Sequence, residues 1–221
     1  SVGGRGFMAN PVLDVLRDDV PARLLESDGL TGRVNRFPTL LEDMSRFEAM
    51  SARYTGPVLR CAGFKQFFDG VSSQHTAWVT EPYSNARCEH DCGSPTIEPD
   101  KMRALVMQAA EKGHPVRIHT IRDAAIHEAL NIFEDAHAEF GPLPDGLHNC
   151  LEHLENFLPG DVERLAANAG RILLHIEDYR SEPLTLGFVE RLYADLVAGV
   201  DLADGDCAPA GERGAQELAL L

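Results

Sequence analysis

Between residues 32 and 176, short apolar runs alternate with stretches whose apolar residues recur every three or four positions, and this alternation limits the fold more than any other feature of the chain. Runs at 32–38, 58–68, 116–119, 147–153 and 172–176 have the length and composition of strands, whereas 40–50, 100–110, 123–140 and 162–169 carry helical stripes. Strand followed by helix, several times over, predicts an α/β chain with a parallel sheet and right-handed crossovers. Pro99 marks one helix start and Gly113 its end, while Gly141 and Pro142 stop the helix that begins at Asp123. The first thirty residues give another helical pattern, broken at Pro21, and 184–200 suits one more helix. One domain over 1–200 is expected, with 201–221 a tail rich in Ala, Gly, Asp and Glu that has the composition of a disordered segment.

Charge removes several partners. With 35 acidic against 20 basic residues the net charge is −15, which argues against nucleic acid and anionic membrane surfaces. No apolar run has the length of a membrane span and the first residues lack a signal-peptide core, so a cytoplasmic protein is expected. The five cysteines are scattered and odd in number, which excludes a secreted disulfide framework. Cys88 and Cys92 flank His90, but no second ligand pair follows at finger-like spacing, so a surface loop is the simpler account.

The informative charges lie on the strands. Gly-Phe-Lys-Gln-Phe-Phe-Asp-Gly-Val over 63–71 places Lys65 and Asp69 around an apolar run, and two later runs end at His119 and at Glu152-His153. Parallel α/β folds put ligand sites at the carboxyl ends of their strands, where the loops vary while the sheet stays rigid. Lys65, His119 and His153 all lie near that end, and neutral imidazole suits zinc and similar ions. Lysine ligates only after losing its proton or becoming a carbamate. Taken singly, each residue also has a plainer account: a strand-end histidine is more often a hydrogen-bonded rim residue, and Lys65 could pair with Asp69 or Glu152. Asp123 suits both an N-cap and support of a site, and His75 falls in the long segment 69–99, which is longer than an ordinary connection and fit to cover a site. His127, His137 and His148 read as ordinary helix or loop residues.

Four motifs together resemble the amidohydrolase superfamily, in particular its amidohydrolase-3 branch, which includes N-substituted formamide deformylases. They are the 63–71 stretch; Thr76-Ala77 with Glu81-Pro82-Tyr83; His119-Thr-Ile-Arg-Asp123, similar to the family's His-Ala-Ile-Gly-Asp; and Leu151-Glu152-His153 followed by Pro159-Gly-Asp161 and Arg164. The resemblance implies a (β/α)8 TIM-barrel-type, metal-dependent hydrolase of carbon–nitrogen bonds other than peptide bonds, working through a metal-activated hydroxide on a small amide-type molecule. Lys65 would be the carboxylated lysine, and His119 and His153 the histidine ligands of one or two divalent ions, zinc first, with manganese or iron accepted. Asp69, His75, Asp123 and Glu152 would support the ligands or meet substrate.

The chain departs from the family in two places. The family's early His-x-His has no counterpart, since the first histidine is His75, and Asp206 is the nearest candidate for the late catalytic aspartate. The expectation is therefore an incomplete barrel lacking the first strand or strands and the accessory β-sandwich, with exposed sheet edges that favour a homo-oligomer. The competing expectation is a truncated, catalytically inactive amidohydrolase-like fragment with a structural role or none.

Overall fold

The computed structural model describes residues 6–9, 27, 33–86, 88–144, 146–168 and 171–175. Among these residues seven parallel strands run β1 (Gly6–Ala9), β2 (Arg33–Arg36), β3 (Leu59–Cys61), β4 (Phe64–Phe67), β5 (Val116–Thr120), β6 (Asn149–His153) and β7 (Ile172–His175), with helices α1 (Ser45–Arg53), α2 (Pro99–Glu111), α3 (Asp123–Phe140) and α4 (Pro159–Ala167) between them. The strands form two groups, β1-β2-β3 and β4-β5-β6-β7, each ordered as in sequence.

Backbone hydrogen bonds join the groups. Beyond Arg36 the second strand continues extended, and Lys65 N–H donates to Pro38 O at 2.9 Å while Leu40 N–H donates to Lys65 O at 2.9 Å. β3 and β4 therefore lie along one partner, as two halves of the expected 58–68 strand. Gly63 makes the break. Its φ is +146°, and a Cβ there would lie 2.4 Å from Pro115 O, so only glycine allows the next strand to come this close.

The helices cover one face of the sheet. Phe64, Val116, Ile118 and Leu151 point from the strands into a core with Met102, Leu105, Val106 and Ala109 of α2 and Ile126, Ala129, Leu130 and Phe133 of α3, whose three-and-four spacing makes the apolar stripe. Gly141, at φ +77°, ends α3 by donating its N–H to His137 O at 2.9 Å. Among the described residues no helix is long and apolar enough to cross a membrane.

Three expectations shift. Gly6–Ala9 is a strand within a region read as helical, α1 begins at Ser45 rather than near 40, and the continuous 58–68 strand is interrupted. Leu40 is spent on the extended segment beside β4, and the Asp43 carboxylate accepts the Ser45 N–H at 2.9 Å where the helix starts. The expected helix at 184–200 and the 201–221 tail lie outside the described residues.

Candidate metal centre

Register sets the opposite face. Lys65 pairs with Arg117 and Arg117 with Cys150, while Phe67 pairs with His119 and His119 with Glu152. In parallel strands paired residues point the same way, so Lys65, Phe67, Arg117, His119, Cys150 and Glu152 share the face turned away from the helices.

Lys65 is fully buried there and forms an ion pair with Glu152, which settles which of its two possible carboxylates it meets. Arg117 Nε donates to the other oxygen of Glu152 at 2.7 Å, and its guanidinium lies over the Phe37 ring at 4.9 Å. Burial alone would raise the Glu152 carboxyl, but the charges and hydrogen bonds of Lys65 and then Arg117 hold it at about 2. Burial pushes the Lys65 amine below its usual range, with Glu152 opposing. Glu152 stays ionised at neutral pH because its carboxylate has two cationic partners.

His119 lies next to this pair, its ring 5.0 Å from that of Phe67, over which Lys65 Nζ sits at 4.9 Å. Its Nε2–H donates to Gly70 O at 3.1 Å, which leaves the lone pair on Nδ1. Burial lowers its pKa to about 4, so the imidazole is neutral and able to ligate. The His153 ring lies 4.4 Å from it. Simple alternation would send His153 to the helix side with its register partner Thr120. Instead His153 (φ +77°) and Leu154 (φ +57°) both adopt left-handed backbone, at a cost of about 1–2 kcal/mol each, and the kink brings the two rings together.

The titration of His119 has a stability consequence. The unfolded chain takes up a proton near pH 6.5 that the folded chain refuses until about pH 4, so this contribution is complete above pH 6.5 and is lost as pH falls through that window. It amounts to roughly 3 kcal/mol at most. Urea midpoints between pH 7 and 4 should fall less steeply for His119→Gln than for the parent chain.

Asp69 organises the strand ends. Its Oδ1 accepts the Ile121 N–H at 2.9 Å, and its Oδ2 accepts those of Arg122 at 3.0 Å and Trp78 at 3.2 Å. Burial lifts its pKa to about 6 against the pull of these donors, and Oδ1 lies 3.6 Å from His119 Nε2. It is a backbone clamp beside the histidine. Asp123 is the first residue of α3, where its Oδ1 accepts the N–H of Ala124 at 2.9 Å and of Thr80 at 3.2 Å; the N-cap position belongs to Arg122. Thus Asp123 ties the long covering segment to the helix. His75 belongs to that segment's own packing, stacked on Tyr83 at 4.2 Å and bonded through Nδ1 to Asp91 at 2.6 Å. Asp206 lies outside the described residues.

The donor set tests the expected metal. Two adjacent imidazoles fit a divalent ion, but no group of three or more His, Cys, Asp or Glu among the described residues could hold one. Lys65 can complete the set only after leaving Glu152. Sequence reasoning overlooked Arg117, though it stands two residues before His119 and so on the same face, and it overlooked the kink at His153, which has no sequence signal.

Over 125 residues the chain is 29% identical to YtcJ of Bacillus subtilis (strain 168), whose name marks it as a provisional amidohydrolase; the match takes in 57% of this chain and 22% of that protein. An uncharacterized metal-dependent hydrolase from Pyrococcus horikoshii OT3 superposes with a TM-score of 0.59 and 25% identity, over 77% of this chain and 32% of its own. Another from Pyrococcus furiosus does so at 0.58 and 25%, over 76% and 33%. The chain thus spans a third or less of the length of these relatives. The profile of the Amidohydrolase family matches residues 19–182, well over half of the chain, and this protein belongs to that family.

Proposed function

We propose that this chain contributes to a metal-dependent hydrolase of non-peptide carbon–nitrogen bonds, of the N-substituted formamide deformylase-like kind, acting on a small amide in the cytoplasm. The observation that carries the reading is the buried, neutral imidazole of His119 with the His153 ring 4.4 Å from it, at the carboxyl ends of adjacent parallel strands. Its sheet, with strands in sequence order and helices on one face, is of the kind that curls into a (β/α)8 barrel, and the face bearing Lys65, Arg117 and Glu152 would then line the interior.

His119 and His153 would hold the ion, zinc first by their donor chemistry, with Lys65 as a carbamate joining them. Such an ion polarises a carbonyl and lowers the pKa of water. The chain's own residues then do the positioning: Gly70 O fixes the His119 tautomer, Asp69 fixes the strand ends, and the covering segment from Val71 to Glu98 limits water. Asp206 is the proposed carrier of the proton to the leaving amine.

One observation favours a second reading, a relative that binds metal weakly and turns nothing over: Lys65 is already held by Glu152. The same measurements separate the two. Zinc binding by equilibrium dialysis with bicarbonate present should weaken 100-fold or more in His119→Ala and in His153→Ala, and a panel of N-formyl and N-acyl amines should be hydrolysed by the parent chain only. Parent protein that binds no ion removes both readings. Binding without turnover leaves the second.

A further inference from the structure

At the carboxyl ends of β5 and β6 stands a polar cluster outside the ligand set. Arg122 Nε donates to Ser72 Oγ at 2.8 Å, and Ser72 Oγ–H donates to Glu155 Oε2 at 2.8 Å. The Glu155 carboxylate is 3.9 Å from Arg122 Nε, at the limit of an ion pair, and nearly half exposed, so it neutralises the guanidinium only weakly. Nε occupies one edge of the guanidinium, and no described group bonds the two terminal nitrogens.

The cluster's position bears on the site. Arg122 follows His119 by three residues and Glu155 follows His153 by two. The two exits are laced together: Leu154 N–H donates to Thr120 O and Glu155 N–H to Ile121 O, both at 3.0 Å, while Asp69 holds the Arg122 amide and lies 3.6 Å from His119. The Arg122 side chain is 22% exposed, enough to meet a solute and too little to swing free. Arg122 thus sets a cation at the rim of the site, in a chain whose net charge of −15 repels anions.

We infer that Arg122, oriented by Ser72, is a specificity-determining residue that recognises a carboxylate on the substrate, so that the class acted on is an N-acylated or N-formylated amino acid rather than an uncharged amide. A planar guanidinium with free terminal N–H groups takes a carboxylate in bidentate fashion, and such a charge-assisted bond contributes roughly 10- to 150-fold in affinity. The substrate class rests on the hydrolase reading, but the binding of a carboxylate at this rim does not.

The test has a binding arm and a turnover arm, both on the full chain. By calorimetry, N-acetylglycine is expected to bind the parent protein at least 10-fold more tightly than N-methylacetamide, and Arg122→Met should erase that preference. Arg122→Lys should restore part of it, because the charge returns without the fork. Ser72→Ala, which removes the orienting hydroxyl and keeps the charge, should weaken it several-fold. Equal binding of the two probes by the parent, or an unchanged preference in Arg122→Met with native circular dichroism, overturns the inference. In turnover, the ratio of kcat/KM for N-formylglycine to that for N-methylformamide should fall 10-fold or more in Arg122→Met. Carboxylate binding lost in Arg122→Met but no hydrolysis by the parent upholds the rim site and refutes the hydrolase reading instead.

Discussion

Replacing Glu152 by alanine is expected to lower the unfolding free energy by about 3–5 kcal/mol, read from urea unfolding at pH 7. The cost comes from what is left behind. Lys65 is fully buried and Arg117 largely so, and Glu152 is the carboxylate they share, each bonded to a different oxygen. Without it two cations face each other in a region of low polarisability. The lysine can escape by giving up its proton, which burial already favours, so the loss should be larger at pH 5 than at pH 8. Lys65→Met should cost less, because Arg117 still satisfies Glu152. The triple variant Lys65→Met, Arg117→Leu and Glu152→Leu should recover most of the stability, since a buried charge triad replaced by apolar groups of similar size is often neutral. A loss below 1 kcal/mol in Glu152→Ala at both pH values would show that the pair carries no weight.

Asp69→Ala should be comparably severe, about 3 kcal/mol or more, for a different reason. Three backbone N–H groups, on Trp78, Ile121 and Arg122, lose their acceptor together, and each buried donor left unsatisfied costs about 1–3 kcal/mol. Hydrogen exchange localises the damage: those three amides should lose protection while the α3 amides from Ala129 to Phe133 keep theirs. Asp69→Asn is expected to fall between, because one oxygen remains to accept two donors. Uniform loss of protection would mean that Asp69 supports the whole sheet and is no local clamp. Opposing the clamp is the burial that lifts Asp69 to about 6, a penalty on its charge that is absent below pH 3.8 and complete above pH 6.

The helices were the most legible part of the sequence, because their signals are local. The helix expected over 123–140 has those bounds in the structure, set by an acidic first turn, a regular apolar stripe and Gly141 with Pro142. The strand over 58–68 looked continuous because nothing in an apolar run reveals how near the next strand will come; the approach of Pro115 to Gly63 is a tertiary fact. Lys65 was recognisable as a buried charge needing a partner, and Glu152 was one of two candidates, but choosing between them required the register of β4, β5 and β6. The approach of His119 and His153 was legible from their places at the carboxyl ends of two strands and from the family motifs. Alternation along β6 predicts the wrong face for His153, and no residue preference marks the left-handed backbone that corrects it.

The strand order has a consequence for how the chain is made. β5, β6 and β7 each lie beside the strand synthesised just before, joined to it through α2, α3 and α4 in turn, so pairing can advance as the polypeptide leaves the ribosome. An arrested chain ending after Thr120 would already contain β4, one of the two partners of β5, and expose as its last edge the surface that β6 completes. The histidine pair would therefore be among the later parts of the site to form, since His153 arrives only with that strand.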